Sequence, residues 1–158
     1  MRSFTFAGSK KLMNALLLTP LFDSFETASL TIRTYCLFSA EPSGEDAPYP
    51  LWGKMRPVAT ELLRGSKKPD QIKLVLKLSG EDTEKVLAES GADISPETVG
   101  GLFLNILYRC DNDLETLTAT TGVSLKTFSL DRSLEIFWDK IIESFFEKYD
   151  FPLKNPDL

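Results

Sequence analysis

The sequence predicts an α+β domain: a largely antiparallel sheet packed on one face by helices, ending in a three-strand meander and a long C-terminal amphipathic helix. Three observations lead there. Segments with period-2 alternation, such as QIKLVLKLS at 71–79, are interleaved with segments whose apolar residues recur at helical spacing. From residue 102 onward, three strand-like runs follow one another across short polar connections, as antiparallel neighbours do. The segment DRSLEIFWDKIIESFFEKYDF, 131–151, then sets Leu134, Trp138, Ile142 and Phe146 in one i+4 row and Phe137, Ile141, Phe145 and Tyr149 in the next. Two adjacent rows make one broad apolar face, and core packing accounts for it more simply than a ligand-lined cavity.

The 158 residues, 42% hydrophobic and 26% charged, suit a single domain over 1–158 that buries roughly two-thirds of its unfolded surface. SFTF at 3–6 reads as a short strand, and Leu12, Met13, Leu16 and Leu17 mark a helix over 8–18 that stops before Thr19 and Pro20. Residues 26–39, rich in β-branched and aromatic types, predict one long strand with Leu30, Ile32, Cys36 and Phe38 on one face. AEPSGEDAPYP, 40–50, concentrates proline, glycine and acid and is expected to be an exposed, mobile loop. A helix follows over 53–65, with Pro57 in its first turn and Gly65 closing it. The strand at 71–79 turns Ile72, Leu74, Leu76 and Leu78 inward and Lys73 and Lys77 to water. A short acidic helix, 80–91, is capped by Asp82 or Thr83 and ended by Gly91, and Ser95, Pro96 and Glu97 start a turn. The runs 102–110, 114–122 and 123–130 are the meander strands, and Asp131 caps the last helix.

Composition removes several chemistries. Histidine is absent, and with it go the usual base near neutral pH, the Ser-His and Cys-His nucleophile pairs and every His-containing zinc site. Carboxylates, lysine and tyrosine remain for acid–base work. Cys36 and Cys110 are expected to be reduced and buried as small hydrophobes. DND at 111–113 and GED at 80–82 lack the alternating oxygen ligands and glycine of a calcium loop, so neither a metal nor a cofactor is expected. The opening MRSFTFAGSKKLMNALLLTPLF mimics a signal peptide, but Asn14, Thr19 and Pro20 interrupt its apolar run and no small-x-small site follows, so it reads as mature structure. No apolar stretch approaches the ~20 residues a membrane span requires, which predicts a soluble protein without a membrane partner.

Charge is distributed unevenly. The chain carries −5 overall, yet 53–78 carries Lys54, Arg56, Arg64, Lys67, Lys68, Lys73 and Lys77 against only Glu61 and Asp70. Such a segment suits an anion, a phosphate or a nucleic acid. The pI of about 4.8 and the lack of any nucleic-acid motif count against a polyanion, and a solvated basic face partly neutralised by the domain's own acids is the simpler reading. Trp52 and Arg56, one helical turn apart, can form a cation–π stack or a small anion pocket, with Lys126 as a second charge clamp; Trp52, Arg56 and Lys126 are the candidate ligand-binding residues. On the last helix Asp131, Glu135, Asp139, Glu143 and Glu147 recur every four residues; this carboxylate rail either faces the basic 53–78 segment in part or forms a solvated acidic face.

No catalytic motif emerges. The leading expectation is a non-enzymatic cytoplasmic domain that binds a partner protein or a small anionic ligand. The alternatives are a small enzyme acting on an anionic substrate, with Arg56 and Lys126 as clamps, and a nucleic-acid accessory protein that uses 53–78. At SFTF, LWGKMRP (51–57) and SLKTFSLDRSLEIFWD (124–139) the chain resembles a family of small bacterial proteins catalogued only as a domain of unknown function. The resemblance runs over nearly the whole chain and implies a bacterial, cytoplasmic, single-domain protein; it transfers no catalytic or binding residue.

Overall fold

The structure, a computed structural model, describes residues 1–65 and 67–154. Its elements are β1 (Ser3–Thr5), α1 (Lys10–Leu18), β2 (Glu26–Arg33), β3 (Leu37–Ala40), α2 (Trp52–Leu63), β4 (Gln71–Lys77), α3 (Gly80–Ser90), a 3-10 turn (Pro96–Thr98), β5 (Val99–Asp111), β6 (Leu114–Leu125) and α4 (Ser133–Lys148). The strands form a six-stranded sheet in the order β1-β6-β5-β4-β2-β3, every pairing antiparallel. The α+β class expected from the sequence is therefore present.

Period-2 alternation becomes a layered core through the register. Leu30, Leu74, Ile106, Ala119 and Phe4 sit opposite one another on β2, β4, β5, β6 and β1, and Ile32, Ile72, Tyr108 and Leu117 form the next rung. All are buried, as are Leu76 and Leu104 on the rung beyond. Leu16, Trp52, Ala59, Leu87, Trp138 and Phe146 bring the four helices into the same core. On the other face Val75, Phe103 and Leu107 alternate with these residues and lie outside that core.

α4 answers to its sequence. Leu134, Trp138, Ile142 and Phe146 are buried, and the row Phe137, Ile141, Phe145 and Tyr149 is half-buried along the flank. Phe146 meets Phe4 and Phe6 edge-on at 5.3 and 5.2 Å, and the Trp138 indole donates to the Phe103 carbonyl at 3.0 Å, so both ends of its amphipathic side chain are used.

Four expectations are corrected. Residues 26–39 form a hairpin rather than one strand: β2 ends at Arg33, and β3 returns antiparallel from Leu37 with Arg33 opposite Leu37. A hairpin keeps the alternation in step, so Phe38 falls on the same face as Ile32, but it now lies on an edge strand and Cys36 lies exposed in the turn. The meander has two strands. The hairpin turn is at Asn112 and Asp113, whose φ of 48° and 63° suit the two central residues of a type I′ turn, and β6 then runs unbroken through Gly122 to Leu125. α2 begins at Trp52, which places Pro57 beyond the first turn; the bond it cannot donate would go to Gly53. Gly53 also lets the helix approach Asp23, because an added Cβ would lie 3.0 Å from the Asp23 Cβ. The cap of α3 is Ser79, whose hydroxyl accepts the Asp82 N–H at 3.2 Å, and Gly91 ends that helix at φ 70° as expected. Asp131 receives the N–H of Ser133, the first residue of α4, at 2.9 Å, and that of Asp93 at the same distance.

Candidate functional site

The predicted ligand residues occupy separate environments. Trp52 is 1% exposed, and its indole N–H donates to the Leu16 carbonyl at 2.8 Å, which ties α2 to α1. Arg56, one turn on, grips Asp23 through two bonds of 2.9 and 2.8 Å; that hydrogen-bonded carboxylate raises the guanidinium's already high pKa. Lys126 follows β6 and is exposed, its backbone N–H held by the Thr98 carbonyl at 2.7 Å.

Most of the basic segment is neutralised locally. Arg56 pairs with Asp23, Arg64 with Glu61, Lys67 with Asp70, Lys68 with Glu115 and Lys77 with Glu26, while Lys54 and Lys73 have no ion pair among the described residues. The carboxylate rail meets other cations than those expected. Glu135 pairs with the Met1 ammonium and Arg132, Glu143 pairs with Arg2, and Asp139 accepts the Thr121 hydroxyl. The reason is topological: β1 pairs with β6, next to α4, whereas the 53–78 segment lies across the sheet. Ion pairing holds the Glu135 carboxyl below the usual carboxylate range, first through Arg132 and then through the terminal ammonium.

The unpaired Lys73 leads to a site. Arg33 on β2 lies opposite Gln71 on β4, and Gln71 lies opposite Arg109 on β5. Lys73, two residues along β4, opposes Thr31 and Leu107 and is therefore diagonal to both arginines, about 7–8 Å between backbones. Arg33, Lys73 and Arg109 are exposed, share the outer face, and have no ion pair or side-chain hydrogen bond among the described residues. Around them the same face presents hydroxyl and amide groups, among them Ser29, Thr31, Gln71, Asn105, Thr116, Thr118 and Thr120. Three cations at neighbouring register positions of one face can donate to carboxylates at several points.

Sequence reading assigned Lys73 to the solvent side of its strand but did not bring it together with Arg33 and Arg109. The signal was there in part: each cation directly follows or precedes a buried residue, Ile32, Ile72 or Tyr108, and so points outward. Their adjacency depends on the order β2-β4-β5, which no local pattern carries.

Two of the concave regions are largely apolar. A depression of about 460 Å³ beside α1 is lined by Ala15, Pro20, Leu21, Tyr149 and Phe151, and its one cation, Lys11, donates to the Asp150 carbonyl at 2.9 Å. A groove of about 270 Å³ between α3 and α4 is walled by Phe25, Leu78, Val86, Trp138 and Phe145. Among the described residues no group of three or more Cys, Asp or Glu side chains is placed to hold a metal ion, and no helix is long and apolar enough to cross a membrane.

No curated protein and no solved structure matches the chain. The pattern of the family of unknown function DUF5721 matches residues 15–153 of the 158, and the chain belongs to that family.

Proposed function

We propose that this chain is a single-domain, non-enzymatic binding module of the bacterial cytoplasm whose outer sheet face receives an acidic partner protein. The observation that carries the reading is the trio Arg33, Lys73 and Arg109, exposed and without ionic partners among the described residues, on one face of a chain whose net charge is −5. Within the basic 53–78 segment, by contrast, most cations are matched to acids, as at Arg56 with Asp23 and Lys77 with Glu26. Leaving three like charges together costs stability, and a carboxylate-bearing partner offsets that cost. Arginine suits the task because its planar fork takes a carboxylate through two bonds. Thr31, Gln71 and Thr116 flank the trio and can add hydrogen bonds to a carboxylate, beside the apolar Leu107 and Phe103 of the same face. The cytoplasmic assignment rests on two free cysteines, one of them exposed, and the bacterial assignment on the sequence resemblance.

The test is retention on immobilised poly-glutamate, with a single-stranded oligonucleotide column run at the same ionic strength. Wild-type protein should be held by poly-glutamate and released by salt, and Arg33→Glu with Arg109→Glu should abolish retention. Co-elution of wild type and variant would refute the reading. Stronger retention on the oligonucleotide would also refute it and put a nucleic acid in the partner's place.

A further inference from the structure

The two edges of the sheet are treated differently. At the β1 edge the chain's own segment 152–154 lies alongside: the Ala7 N–H donates to Pro152, the Lys154 N–H donates to Thr5, and Phe6 bridges Leu153. At the β3 edge no such backbone bonds occur among the described residues. The Thr34 N–H donates to the Cys36 carbonyl, so Thr34 and Cys36 form a hydrogen-bonded pair. In an antiparallel ladder such pairs alternate with non-bonded ones, so Leu37 and Ser39, opposite Arg33 and Thr31, direct their N–H and C=O groups away from β2. Proteins usually protect such an edge with lysine, proline or a bulge. Leu37, Phe38, Ser39 and Ala40 include neither a charge nor a proline, and Leu37 is 59% exposed.

We infer that β3 is the docking edge for an extended segment of the acidic partner, added to the sheet as a seventh strand; this rests on the function proposed above and specifies how the partner binds. Charge and pleat together define the segment. Side chains of an added strand that point to the outer face lie beside Leu37 and Ser39, one strand from Arg33, with Lys73 and Arg109 behind. Those positions call for Asp or Glu. Side chains that point to the other face lie beside Phe38, which is 37% exposed, and Ala40, and call for apolar residues. The occupant is therefore a segment that alternates acidic with apolar residues. A second copy of the chain fits less well, because joining two β3 edges would extend one face with two sets of unpaired cations.

The experiment uses the full chain and a fluorescent peptide of alternating glutamate and valine, alongside the same peptide N-methylated at alternate backbone nitrogens and a lysine–valine control. The parent peptide should bind. N-methylation, which removes the donors that face β3 but leaves every charge, should weaken binding by about tenfold or more, as expected for two or more lost hydrogen bonds. Ser39→Pro, which removes an outward donor from the edge, should do the same in a protein whose circular dichroism is unchanged. Equal binding of the methylated and parent peptides, lost in Arg33→Glu with Arg109→Glu, would overturn edge addition and leave acidic docking on the face intact. Absence of binding by the parent peptide, together with no retention on poly-glutamate, would overturn both. Concentration-dependent dimerisation that Ser39→Pro abolishes would put a second copy on the edge and overturn the acidic segment.

Discussion

Replacing Lys73 by glutamine should make the protein more stable and a poorer binder. Lys73 lies diagonal to Arg33 and Arg109 on the outer face and has no acidic partner among the described residues. At roughly 8 Å in water, each like-charge contact costs about 0.5 kcal/mol, and screening at physiological ionic strength reduces it to about 0.2 kcal/mol. Removing both contacts should therefore raise unfolding free energy by about 0.4 kcal/mol in physiological salt, and by close to 1 kcal/mol in dilute buffer. Urea titration at the two ionic strengths, with equal m-values, measures the difference. Glutamine retains the length and polarity of an outward strand position, so packing changes little. Retention on poly-glutamate should fall at the same time, the combination expected where a surface is held for binding at a cost in stability. A loss of stability beyond about 0.5 kcal/mol would show that Lys73 is satisfied within the fold, and a gain that ignored salt would show that it is not electrostatic; either result refutes the reasoning.

Other outcomes follow from the same structure. Phe146→Ala should cost about 3–5 kcal/mol and lower Tm by about 2–4 °C per kcal/mol, because the side chain is fully buried against Phe4, Phe6 and Phe151; scanning calorimetry and urea titration will show it. The Glu115 carboxyl is held below the usual range by Lys68 and then by the Ser9 hydroxyl, so the stability it contributes is complete above its unfolded pKa and is lost as pH falls through the lower folded value. Glu115→Gln should then be less stable than wild type at neutral pH, and the two should converge in acid; parallel pH–stability curves would count against the pairing. Native thiol titration should give one fast group, the exposed Cys36, and one slow group, the half-buried Cys110, so Cys36→Ser should remove the fast phase alone. Limited proteolysis should cut first within 41–47, the acid-rich part of the β3–α2 connection, whereas the Pro50 carbonyl is tied to the Thr27 N–H at 2.7 Å and Tyr49 stacks on Lys77.

The amino-acid sequence by itself determined what depends on neighbours within about one helical turn or one strand. The i+4 row Leu134, Trp138, Ile142 and Phe146 is the buried row of α4, and the alternation of Ile72, Leu74 and Leu76 is the inner face of β4. Burial of an amphipathic face favours the same local periodicity whatever lies opposite, so such elements are legible before the fold is known. Only tertiary structure decided where the chain reverses and what meets across space. Residues 26–39 alternate smoothly through a hairpin because reversal in register leaves the period intact, and Gly122 resembled a break although Phe103 lies across from it in a continuous ladder. The acidic rail found Met1 and Arg2 instead of the basic segment because strand order placed β1 near α4. The same order placed Arg33, Lys73 and Arg109 side by side from positions separated by up to 76 residues along the chain. An ion pair or a charge cluster is set by distances that fall steeply in water and by the long-range pairing of strands, and neither is encoded in any window of sequence short enough to read.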